Sequence, residues 1–134
     1  MQLKRVVVTG LGALTPIGNN IEEYWDALVN GKSGSAPITY YDTEKFKVKF
    51  ACELKNYKTE NHFDRKEGRK LDRFAQYALV SSDEAIRDSK LDLEKLDKFR
   101  VGVIWGAGIG GLETFQNEVM NFANGDGTPR FNPF

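Results

Sequence analysis

The sequence predicts an α/β protein, and three observations carry that expectation. Residues 5–9 and 101–105 are short Val-rich runs, apolar on both faces as in the buried strands of a parallel sheet. Helical periodicities lie between and after these runs. A glycine-rich turn follows each run, at Gly10-Leu11-Gly12 and at 106–111.

Taken in order, the first predicted strand covers 5–9, and a loop at 15–20 follows it, rich in Pro, Gly and Asn. Asn20 with Glu23 forms a capping-box variant. Ile21, Tyr24, Trp25, Leu28 and Val29 then recur at helical spacing, and Gly31 supplies a left-handed stop. Short extended pieces are expected at 40–42 and 48–54. One long helix is predicted over 65–88, with Leu71, Phe74, Ala78, Leu79, Ser82, Ala85 and Ile86 on its apolar face. A charged surface connection at 92–98 leads to the second strand, and a last helix runs from Leu112 to about Phe122. The tail at 125–134 carries Phe131 and Phe134, aromatics that predict something packing over them. No solenoid repeat or low-complexity tract interrupts this order.

Composition narrows the function classes. The 134 residues are 40% hydrophobic and 28% charged, as in a soluble globular domain. Nineteen basic residues balance nineteen acidic ones, which argues against general nucleic-acid binding. The single cysteine, Cys52, permits no intrachain disulfide and fits a reducing, cytoplasmic compartment. With one histidine, His62, a Cys/His metal site lacks ligands, so no metal is expected. Thr9, Gly10, Gly12 and Pro16 break the first apolar run too early for a signal peptide. No stretch approaches the ~20 apolar residues of a membrane span.

The two glycine runs differ as nucleotide sites. The first has Thr15 where a dinucleotide fingerprint has its third glycine, with Pro16 next. In the second, Gly106, Gly108 and Gly111 fit G-x-G-x-x-G between a strand and a helix, the context of a nicotinamide or flavin site. No strand ending in an acidic residue follows at the required distance, so the other reading is tight strand–helix packing. Gly31-Lys32-Ser33 has only the last letters of a P-loop and follows a helix.

Other candidate chemistry is sparse. Cys52 has no neighbour that lowers a thiol pKa and is expected to be a buried structural thiol. His62 lies in a polar loop and is expected to be solvated. Asp83 and Glu84 are expected to solvate the long helix. Lys66, Arg69, Lys70 and Arg73 fall on one face of that helix. Positive charge near a helix N-terminus opposes the macrodipole. A solvated helix start and a dock for an acidic or phosphate-bearing partner therefore both stand.

An ordered set of segments spans the chain: 5–12, 15–19, Trp25, 31–34, Phe50-Ala51, 65–67, 69–74, 76–78, 106–111 and Asn132-Pro133-Phe134. Together they resemble the N-terminal part of the β-ketoacyl-acyl-carrier-protein synthases, most closely the elongating type II enzymes. The resemblance implies a thiolase-like, layered α-β-α-β-α fold and a homodimer, with residues 1–134 as an incomplete N-terminal part. It implies a 3-oxoacyl-[acyl-carrier-protein] synthase of fatty acid biosynthesis. Such an enzyme loads an acyl chain onto a cysteine and condenses it with malonyl-acyl carrier protein, releasing CO2, with no cofactor. Neither Cys52 nor His62 matches that family's catalytic residues, so no catalytic residue is expected in this chain. Ile109 and Phe134 match acyl-pocket positions. Lys66, Arg69 and Lys70 match the docking patch for the acyl carrier protein and its phosphopantetheine-linked acyl chain. A non-catalytic chain-length partner subunit and a dinucleotide-binding domain are the competing readings.

Overall fold

The computed structural model describes residues 3–131. The chain divides into two compact units. One is built on the residues up to Tyr57 together with Val80–Leu96, the other on Lys58–Leu79 with the residues from Asp97 onward.

In the first unit, helix α1 (Ile21–Val29) forms as its caps dictate. The Asn20 side chain accepts the Glu23 N–H, and Glu23 reaches back to the Asn19 N–H at 2.8 Å. Gly31 ends the helix at φ 62. Strands β1 (Ala36–Pro37) and β2 (Phe50–Ala51) pair antiparallel, with Ala36 opposite Ala51. The extended piece predicted at 48–54 thus shortens to two residues. The one predicted at 40–42 is displaced to 36–37, where Ala36 and Pro37 find their partners.

The segment Gly10–Ala13, which follows the Val-rich run, lies against the rear half of helix α3 (Arg73–Ser89), whose residues from Val80 onward belong to this unit. A Cβ on Gly10 would collide with the Ala85 carbonyl and stand 2.6 Å from the Ser89 nitrogen. One on Gly12 would collide with the Ser81 carbonyl and stand 2.8 Å from the Ala85 nitrogen. Two residues of extended chain advance ~6.6 Å and one helical turn ~5.4 Å. Alternate residues of the segment therefore meet successive turns of α3. The intervening N–H groups follow the same register: Leu11 donates to Asp88 and Ala13 to Glu84, each at 2.8 Å. Glu84 uses its second oxygen for the Ile21 N–H, also at 2.8 Å, so one carboxylate ties this segment to the first turn of α1. The expectation that Glu84 merely solvates the helix is corrected. Asp83 does face outward, pairing with Arg87 at 3.3 Å.

Neither Val-rich run is paired as a strand among the described residues, against expectation. Val6 and Val8 are 90% and 80% exposed, and Ile104 is 98% exposed. A strand exists through its lateral neighbours, and the described residues offer these runs none. The only hydrophobic side chain buried among them is Ala27, so both units leave wide apolar faces open.

In the second unit, the single helix predicted over 65–88 is instead two, α2 (Arg65–Gly68) and α3. Gln76, 5% exposed, explains the break. Its side-chain amide donates to the Gly68 and Leu71 carbonyls at 3.1 and 3.0 Å and accepts the Thr59 hydroxyl at 2.9 Å. Those carbonyls would take backbone N–H groups in an unbroken helix. Helix α4 (Leu112–Ala123) matches its predicted extent, with Gly111 before it at φ 72. Phe131 packs on Phe122 at 5.5 Å between ring centroids, a partner for one tail aromatic. Phe134 and the rest of the Asn-Pro-Phe motif lie outside the described residues.

Candidate functional site

The chemistry-bearing residues of the second unit gather on two neighbouring stretches, the basic segment at 65–73 and the glycine-rich turn before α4. Asp64 starts the first, its carboxylate accepting the Lys66 and Glu67 N–H groups at 2.7 and 2.8 Å. Lys66 lies on α2, and Arg69 and Lys70 on the turn that follows; all three are exposed. Because the helix breaks here, the single continuous face expected for Lys66, Arg69, Lys70 and Arg73 does not form. Arg73 opens α3 and pairs with Glu113 of α4 at 3.2 Å.

The glycine run has two unequal halves. A Cβ on Gly106 or Gly108 would meet nothing within 4 Å, which corrects the tight-packing reading for this half. Gly110 and Gly111 do need to be glycine. A Cβ on Gly110 would lie 2.8 Å from the Phe74 ring, and Gly111 adopts a left-handed backbone with Asp72 beside it. Ile109 stands between these halves, 74% exposed. It borders a shallow groove of about 260 Å³ that Asp72, Phe74, Thr114 and Asn117 also line. The strand that a dinucleotide fingerprint requires ahead of its glycines is not formed at 101–105.

Cys52 is exposed rather than buried, because β2 ends at Ala51 and the residues after it form an open loop. His62 is exposed, as expected, and its ring contacts Phe63 at 6.4 Å. Among the described residues no group of three His, Cys, Asp or Glu side chains could hold a metal ion, and no helix is long and apolar enough to cross a membrane. The carboxyl groups of Asp26, Asp92 and Asp126 are held below the ordinary carboxylate range, chiefly by hydrogen bonds from Lys32, Lys95 and Thr128 respectively. All three lie outside the two stretches.

Sequence reasoning gave Asp72 and Gln76 no role beyond the segments 69–74 and 76–78 that carry the resemblance, and it did not single out Thr114. Gln76 could have been noticed as a polar amide among apolar positions of the long helix. Asp72 and Thr114 meet through a hydrogen bond spanning 42 residues and leave no local signal.

Comparison with known proteins bears on this arrangement. Residues 3–133 match the family model of the β-ketoacyl synthase N-terminal domain. The chain is 50% identical over 115 residues to 3-oxoacyl-[acyl-carrier-protein] synthase 2 of Staphylococcus aureus (strain COL), covering 86% of this chain and 28% of that protein. It superposes on the solved ishigamide ketosynthase/chain length factor with TM-score 0.77 and 30% identity, covering 95% of this chain and 32% of that one. It is also similar to a ketosynthase in a type II polyketide synthase complex with its acyl-carrier protein (TM-score 0.73, 26% identity, 95% and 33% covered). The chain thus spans about a third or less of the proteins it matches. Over that portion its fold is the thiolase-like α/β fold of the ketosynthases, and the chain belongs to the β-ketoacyl synthase family through its N-terminal domain.

Proposed function

We propose that this chain is the N-terminal part of a cytoplasmic, homodimeric 3-oxoacyl-[acyl-carrier-protein] synthase of fatty acid biosynthesis. In that enzyme an acyl thioester condenses with malonyl-acyl carrier protein and CO2 is lost. The observation that carries the reading is the match of residues 3–133 to the family's N-terminal domain, with half the aligned residues identical to a type 2 synthase. The chain contributes recognition rather than covalent chemistry. Lys66, Arg69 and Lys70 present positive charge from one exposed stretch to an acidic carrier and the phosphate of its arm. Ile109 supplies part of the acyl-pocket wall, and Phe134 another part. The nucleophile and its proton-handling partners belong to the remainder of the synthase.

Charge reversal tests the docking role. Lys66→Glu, Arg69→Glu and Lys70→Glu together are expected to weaken carrier-protein binding to the full-length synthase by about tenfold or more at low salt, and less at high salt. Unchanged affinity at low salt would remove these residues from the interface. A non-catalytic chain-length partner is the second reading, prompted by the likeness to a ketosynthase/chain length factor. Higher identity to a synthase, 50% against 30%, favours the catalytic subunit.

A further inference from the structure

We propose that Asp72, Phe74 and Thr114 are positioning residues for the acyl pocket: they fix the Gly110-Gly111 turn and thereby set where Ile109 stands. The inference rests on the reading of Ile109 as a pocket-wall residue and adds to it the device that holds the wall.

On the C-terminal side of Ile109, two glycines are packed against the start of α3. The Phe74 ring edge lies against Gly110, with Cε1 and Cζ at 2.8 and 2.9 Å from where a side chain would begin. Gly111 turns left-handed at φ 72 with an Asp72 oxygen 3.0 Å from its own missing Cβ. The other Asp72 oxygen accepts the hydroxyl of Thr114, one turn into α4. The Arg73–Glu113 pair adds a weaker, exposed link between the same two helix starts.

The start of α3 is therefore bolted to the start of α4, and the bolt closes next to Ile109. Loosening it frees the Gly110-Gly111 turn, and Ile109 beside it, to swing. A pocket wall that can swing discriminates less between acyl chains of different length, because discrimination per methylene depends on a fixed boundary.

The test uses the full-length synthase and the ratio of kcat/KM for a long-chain over a short-chain saturated acyl-carrier thioester. Phe74→Leu and Thr114→Val are each expected to change that ratio by about fivefold or more. Thr114→Ser, which keeps the hydroxyl, should hold it within about twofold of the parent. Carrier-protein affinity should be unchanged in all three, separating a positional effect from general damage. Ile109→Ala serves as the reference. If Ile109→Ala leaves the ratio unchanged, the pocket reading itself falls. If Ile109→Ala shifts the ratio but Thr114→Val does not, the positioning role is overturned and the pocket reading survives. Should Phe74→Leu fail to fold, the Thr114→Val and Thr114→Ser pair decides alone.

Discussion

Replacing Glu84 by Gln probes the long-range tie at the front of the molecule. The Glu84 carboxylate accepts the Ala13 and Ile21 N–H groups, both at 2.8 Å and both part-buried. Hydrogen bonds to a charged acceptor contribute ~1.5–3 kcal/mol each, and partial exposure places these near the lower end. Glutamine keeps one acceptor oxygen but turns an NH2 donor toward the other N–H. One bond is lost and the survivor loses its charge assistance, a combined cost of about 2 kcal/mol. As ~1.4 kcal/mol corresponds to a factor of ten, local opening should rise about thirtyfold. Hydrogen exchange by mass spectrometry on the full-length protein reads this directly, in peptides covering Leu11 to Ile21. Exchange there should accelerate by about that factor while α4 peptides stay unchanged. Acceleration of less than about threefold would refute the role given to this carboxylate.

Gly12→Ala forces a methyl group onto the Ser81 carbonyl and should cost about 2 kcal/mol or more in denaturant unfolding. Gly31→Ala, at φ 62 with open space around it, should cost only about 1 kcal/mol, and the reverse order would contradict the packing described. Lys32→Ala removes the hydrogen bond that holds the Asp26 carboxyl down, so its titration midpoint should rise toward the ordinary 3.8. A depressed carboxyl favours the folded state above its unfolded pKa and loses that contribution as pH falls through the folded value. Carbon-detected NMR titration checks it, and an unmoved midpoint would refute the assignment.

The sequence made local features legible and long-range ones opaque. The α1 cap and the Gly31 stop were readable because a few adjacent residues determine them. Helix α4 was readable from its periodicity and the glycines before it. The Val-rich runs were identifiable as apolar extended segments, yet their pairing depends on neighbours that a local pattern does not specify. The long helix was drawn through residues 69–72 because periodicity continues there; the break comes from the tertiary bonds of Gln76. Glu84 looked like a helix-surface charge, and its partners lie 63 and 71 residues away in sequence. The basic segment and Ile109 were visible through composition and family resemblance. The Asp72–Thr114 contact beside Ile109 exists only in three dimensions.

The central claim is that this chain supplies carrier docking and a pocket wall while another part of the synthase supplies the nucleophile. The most direct measurement incubates the full-length synthase with an acyl-carrier thioester and locates the acyl group by peptide mass spectrometry. The acyl group should sit on a cysteine outside these 134 residues, with Cys52 unmodified. Stoichiometric acylation of Cys52 would contradict the account.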